Sequence, residues 1–124
     1  HGLFERSESE EVIRNNIRQA QQNGQPVILD FYADWCISCK VMERQAFSKP
    51  DVVEALQPFR RLQIDMTDNT PGQQALLDEL GLFGPPAILF YGADGEELAD
   101  ARVLGEMDRE QFLSHLQERV GPAL

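Results

Sequence analysis

The chain has two cysteines, and both fall in one hexapeptide, Trp35-Cys36-Ile37-Ser38-Cys39-Lys40. What flanks this stretch constrains the fold. Before it lies an apolar run, Val27 to Ala33, that reads as a buried strand; after it, Val41 to Phe47 reads as a helix. On a helix, cysteines three positions apart share one face, about one turn from each other. A thiol at a helix N-terminus meets the positive end of the helix dipole, which favours its thiolate. The first cysteine, Cys36, is expected at the turn and exposed; the second, Cys39, one turn inside and shielded. That asymmetry suits one sulfur to attack and the other to resolve a mixed disulfide.

Other readings of the pair exist. Half of a zinc site needs about four ligands in all, and the remaining histidines are His1 and His115, so zinc would require a dimer. A purely structural disulfide closes too short a loop to add much stability. The pair can also be two inert buried thiols. The strand-to-helix context favours redox chemistry.

The length, 124 residues, fits one domain with a core that needs no staples. Acids outnumber bases 21 to 11, a net charge of −10, which disfavours nucleic acid and anionic membrane surfaces as partners. No apolar run approaches the ~20 residues of a membrane span. Residues His1 to Glu11 are polar and acidic, unlike a signal peptide, and a chain that starts with His rather than Met is expected to have been processed or cut from something longer.

Leu3-Phe4 is a candidate edge strand. Ser7-x-x-Glu10 has the form of a capping box, and Val12, Ile13, Ile17 and Ala20 follow at helical spacing, predicting a helix over 8–23 closed by Gly24. The strand from Val27 to Ala33 is apolar on both faces, as a sheet covered on both sides requires, except at Asp30. A carboxylate there costs several kcal/mol unless paired or protonated. Either Asp30 lies at an edge or bonds a nearby donor, or it is a buried acid of raised pKa beside the cysteines, able to give and take a proton. Beyond Cys36, helical spacing puts Cys39, Lys40 and Glu43 on the same stripe. Glu43 on that face would oppose thiolate formation at Cys36; alternatively it is a surface acid paired with Lys40 or Arg44.

A short helical turn is expected from Pro50 to Leu56, a strand from Arg61 to Met66, and a helix from Thr70-Pro71 to Leu80 capped by Gly81. Gly84-Pro85-Pro86-Ala87 then opens a strand to Tyr91. Prolines at a strand start donate no ladder bonds, and an X-Pro bond here is either cis, fixing a tight turn, or trans in a rigid loop. Ala93-Asp94-Gly95-Glu96 signals a hairpin. A last strand over Leu98 to Leu104 and a helix capped by Asp108-x-x-Gln111 complete the chain. Helix crossovers suit parallel strands and the hairpin adds an antiparallel pair. The expectation is an α/β fold with a mixed sheet and helices on both faces.

Asp30-Phe31-Tyr32-Ala33-Asp34-Trp35-Cys36-x-x-Cys39-Lys40 resembles the active-site signature of the thioredoxin superfamily, and Gly84-Pro85-Pro86-Ala87 resembles its cis-proline loop. The resemblance covers nearly the whole chain and implies a thioredoxin-like fold, a single domain over 1–124, and a cis bond at Pro85–Pro86. Within the superfamily the chain is most similar to the C-terminal periplasmic domains of the DsbD thiol:disulfide interchange family. The features are the non-Gly-Pro dipeptide Ile37-Ser38, Glu43 as a second carboxylate, Phe47-Ser48-x-Pro50-x-Val52, and Ala101-Arg102-Val103-x-Gly105-x-Met107-Asp108. Pro85 departs from the commoner Ile or Leu before the cis-proline.

This likeness implies a protein-disulfide reductase domain in the periplasm, part of an inner-membrane protein and monomeric. It would take electrons from a transmembrane domain of the same protein and pass them to its N-terminal periplasmic domain, and so toward disulfide isomerases and cytochrome c maturation. Cys36 would be the nucleophile and Cys39 the resolving thiol. Asp30 and Glu43 would tune the Cys36 pKa and handle protons, and Trp35, Pro85 and Pro86 would form the docking rim. No cofactor beyond the redox-active cysteine pair, and no metal, is expected. The alternatives are a free-standing thioredoxin-like reductase or, from another class, a module holding Cu(I) or Zn²⁺ on the two cysteines.

Overall fold

A computed structural model describes residues 2–124. His1, one of the two histidines weighed as zinc ligands, lies outside the described residues. The run Val27–Tyr32 forms strand β2, and all six of its residues are buried. It is central in a sheet whose other members are β1 (Glu5–Ser7), β3 (Arg60–Asp65) and β4 (Ala87–Tyr91), in the order β1-β3-β2-β4. β1, β3 and β2 run parallel, and β4 is antiparallel to β2.

Because side chains alternate along a strand, β2 feeds two cores. Val27, Leu29 and Phe31 pack with Ile13 and Ala20 of α1 (Glu10–Gln22) and with Leu76 and Leu77 of α4 (Pro71–Leu80). Ile28 packs on the opposite face. There it meets the helix that follows the cysteines, α2 (Ile37–Met42) with its π-helical continuation Glu43–Phe47, together with α3 (Pro50–Ala55) and α5 (Arg109–His115). Asp30 belongs to this second face. Helices thus cover both sides of a mixed sheet, as expected.

Local signals account for most boundaries. Thr70 caps α4 by accepting the Gln73 N–H at 3.2 Å while the Gln73 side chain accepts from the Thr70 N–H at 3.0 Å. Gly81 ends that helix at φ 70°, a conformation glycine adopts without steric cost. Asp108 and Gln111 make the same reciprocal cap on α5. Thr70→Ala is expected to cost about 1 kcal/mol, read as a lower urea midpoint with an unchanged slope.

Three expectations are corrected. The edge strand is Glu5–Ser7, not Leu3-Phe4; Phe4 instead covers the core, its ring 5.1 Å from that of Phe47. The cap of α1 is Ser9, which accepts the Val12 N–H, because Ser7 ends β1 and its hydroxyl accepts the Ser9 N–H. Finally, residues 98–104 form no continuous strand. Leu98 bonds Phe90 and Val103 bonds Ile88, so five positions on the returning chain span two on β4. The excess loops out as a 3-10 turn, Ala99–Ala101. Arg102, in a double hydrogen bond with Glu97 and donating to the Leu80 carbonyl, pins this bulge.

Candidate active site

β2 ends where β4 begins. Their antiparallel register pairs Phe31 with Ala87, so the loop into the cysteines and the Gly84-Pro85-Pro86 turn emerge at one end of the sheet. The Pro85–Pro86 peptide bond is cis. Cys36 and Cys39 are joined by a disulfide with Cα atoms 5.3 Å apart, packed in a small cluster with Tyr32 and Ala33.

The expected difference in exposure is not seen: Cys36 is 5% exposed and Cys39 7%. With both sulfurs in one bond, Cys36 is drawn inward, while its neighbours Trp35 and Ile37 are 58% and 79% exposed. The asymmetry lies in polar surroundings instead. Cys36 is the N-cap of α2, and its Sγ accepts the Cys39 N–H at 3.1 Å. The Cys39 Sγ lies 3.7 Å from the Phe31 carbonyl oxygen. A donor faces the first sulfur and an acceptor faces the second. The two sulfurs thus sit in surroundings of opposite polarity.

Asp30 is both buried and bonded. It lies in the central strand, 7% exposed, and accepts a hydrogen bond from the Gln63 amide at 2.7 Å. Burial pushes its carboxyl up to about 7; Glu43 pushes the same way, and the Gln63 bond and Arg6 push against it. Glu43 opens the π-helical turn, and its carboxylate reaches the Arg6 guanidinium at 3.8 Å. The Lys40 ammonium donates to the Tyr32 hydroxyl at 2.5 Å and lies 3.6 Å from Asp34. The Tyr32 hydroxyl donates to Asp34, which holds that carboxyl below the usual carboxylate range. Trp35 donates its indole N–H to the Thr67 carbonyl at 3.1 Å, which fixes the ring at the rim.

Several members of this site were missed from sequence. Gln63 reads from sequence only as part of a strand, although a polar residue in the middle of a doubly covered strand is a usable signal. Arg6 and Thr67 gave none. Nor did Glu106, whose carboxylate accepts from the Ser38 hydroxyl at 2.7 Å and ties the Ile37-Ser38 dipeptide to the loop after Val103. Among the described residues no group of three or more His, Cys, Asp or Glu side chains could hold a metal. His115 is engaged with the Ala101 carbonyl, 2.6 Å from its Nε2, and with the Phe90 ring.

The family model for thioredoxin-like domains matches residues 13–119. The thiol:disulfide interchange protein DsbD 1 of Pseudomonas aeruginosa is 53% identical over 101 residues, 82% of this chain and 17% of that protein. DsbD of Klebsiella pneumoniae is 50% identical over 99 residues, 80% of this chain and 17% of that protein. The chain therefore spans about a sixth of the length of these relatives. The DsbD C-terminal domain of Neisseria meningitidis in its oxidised form superimposes with a TM-score of 0.80 at 38% identity, covering 90% of this chain and 96% of that one. Its reduced form gives 0.80 at 37% identity, with 90% and 97% covered. The chain belongs to the thioredoxin-like family and, within it, with the C-terminal domains of DsbD, as a thiol-disulfide oxidoreductase domain.

Proposed function

We propose that this domain is a two-electron relay inside a longer, DsbD-like protein of the bacterial inner membrane. On the periplasmic side it takes reducing equivalents from a transmembrane domain and passes them to an N-terminal periplasmic domain. The observation that carries the direction of attack is the opposite polarity around the two sulfurs, an N–H at Cys36 and a carbonyl at Cys39.

In the forward step the Cys36 thiolate attacks one sulfur of the partner's disulfide. The other partner sulfur leaves as thiolate, and a mixed disulfide forms. The Cys39 thiol then gives its proton to the Asp30 carboxylate and attacks the Cys36 sulfur, releasing the second partner thiolate. Two electrons pass to the partner, which leaves as two thiolates; the Cys39 proton is held on Asp30, and Cys36–Cys39 is left oxidised. Asp30 suits the proton step because a group that titrates near 7 both gives and takes at neutral pH. The negative charges of Asp30 and Glu43 oppose ionisation of Cys36, so the thiol stays quiet until a partner covers the site. Trp35, Pro85 and Pro86 form the docking rim. No cofactor beyond the cysteine pair is needed, and the domain acts as a monomer. Among the described residues no helix is long and apolar enough to cross a membrane.

The reduction potential of the Cys36/Cys39 pair tests the direction of flow. Equilibration in thiol buffers of known potential is expected to give a value at or below about −230 mV, toward the thioredoxin end of the scale. A value near about −120 mV marks an oxidant and overturns the reading.

A further inference from the structure

Asp30 does not stand alone on its face of the sheet. In the parallel register Arg6 of β1 pairs with Gln63 of β3, and Gln63 pairs with Asp30 of β2. These three side chains form one row across the sheet. Arg6 Nε donates to Gln63 Oε1 at 2.6 Å, and Gln63 Nε2 donates to Asp30 Oδ2 at 2.7 Å. Gln63 is 3% exposed, so water does not substitute freely for either partner.

A primary amide has two faces, one that accepts and one that donates. A guanidinium has donors only. Whatever lies opposite Arg6 must therefore be the amide oxygen, and the amide NH₂ is left facing Asp30. We propose that Arg6 is a positioning residue that locks the Gln63 amide in this orientation and so sets how tightly Asp30 holds its proton. An N–H aimed at a carboxylate stabilises the ionised form. Without Arg6 the amide is free to turn, present its oxygen to a protonated Asp30, and stabilise the neutral acid instead.

Arg6 is itself held in place by several groups. Its guanidinium carbon sits 4.3 Å over the Tyr32 ring and its Nη2 is 3.8 Å from Glu43. It also borders a cavity of about 480 Å³ whose wall includes Phe4, Glu43, Arg44, Phe47 and Gln63. The charged groups that act on Asp30 are Arg6 from β1 and Glu43 from the π-helical turn; Arg44 borders the same cavity, and Tyr32, under the Arg6 guanidinium, bonds Lys40 and Asp34 through its hydroxyl. From β4 the neighbour in register is the apolar Ile88. Among these only Arg6 acts on Asp30 through an intervening amide.

The importance of this lock for catalysis rests on the proposed role of Asp30 as proton carrier, and the test separates the two. The oxidised protein, in which neither cysteine titrates, is labelled with ¹³C at aspartate carboxyls, and the Asp30 resonance is followed from pH 4 to 10. Arg6→Met is expected to move its midpoint up by about half a unit to one unit, less than the 1–3 units of a direct ion pair. Arg6→Gln, uncharged and able to offer either amide face, should do the same and covers the case in which the Met variant does not fold. Arg6→Lys, a donor-only side chain, should stay within about 0.3 units of wild type. In a Gln63→Leu background, Arg6→Met should have at most a third of its effect.

No shift on removing Arg6, an equal shift in the Gln63→Leu background, or a Lys variant that behaves like Met would each overturn the lock. Separately, the rate at which Cys39 resolves a mixed disulfide on Cys36 in Asp30→Asn tests the proton carrier. An unchanged resolution rate there would remove the catalytic role of Asp30 while leaving the Arg6 result standing.

Discussion

With Cys39→Ser, the exchange reaction is expected to stop halfway. Cys36 still attacks, but no second thiol remains to release the product, so the domain accumulates as a covalent adduct. With a small aromatic disulfide as the probe, each molecule should release one equivalent of thiol and keep the other, whereas wild type releases two. Cys36→Ser should form no such adduct, because the Cys39 sulfur faces a carbonyl rather than an N–H. In both variants, multiple-turnover reduction of a protein disulfide should fall by at least roughly a thousandfold, since residues that act as a unit fail together. Mass spectrometry of the intact protein reads the adduct directly. An adduct on Cys36→Ser, with none on Cys39→Ser, would reverse the assignment of nucleophile and resolving thiol.

The second large effect concerns stability. Asp30 titrates near 7 in the folded protein against an ordinary value of 3.8. The folded state therefore holds this proton more tightly than the unfolded state does. Between about pH 4 and 7 the native protein binds more protons, so stability from this group falls as pH rises, and the whole cost is present above 7. At 1.36 kcal/mol per unit, that cost is at most about 4 kcal/mol. Asp30→Asn removes the charge and keeps an amide that can still bond Gln63. It is expected to unfold later in urea than wild type by about 2–4 kcal/mol at pH 8.5, and by little at pH 4.5. An equal difference at both pH values would show that Asp30 does not titrate in that window. The same variant should resolve mixed disulfides more slowly, because the acceptor for the Cys39 proton is gone.

Much of this was legible in the chain because the governing signals are local. Thr70-Pro71-x-Gln73 and Gly81 bounded α4 to the residue, and Asp108-x-x-Gln111 placed the start of α5. The apolar run broken by Asp30 identified both the central strand and its one costly residue. What escaped depends on register between distant segments. Arg6 and Gln63 are 57 positions apart and meet only because β1 pairs with β3. Nothing near Arg6 in sequence announces that pairing. The bulge at Ala99–Ala101 was hidden for the same reason: a strand-like pattern says nothing of how many residues its partner offers. The exposure of Cys36 was misjudged because periodicity locates a residue on a helix but not the direction its sulfur takes once bonded.

The broken return strand also bears on how the molecule behaves in a crowd. A domain that keeps Trp35, Ile37 and Phe83 open to solvent carries a sticky surface. A sheet with free margins would add a second route to self-association, by strand-to-strand templating. Both margins are blunted here. On one side β1 is only Glu5–Ser7, three polar residues. On the other, the outer side of β4 is occupied at Ile88 by Val103, at Phe90 by Leu98 and at Tyr91 by Glu97, while the bulge bends the covering chain out of plane. Neither margin offers a run long enough to recruit a foreign strand.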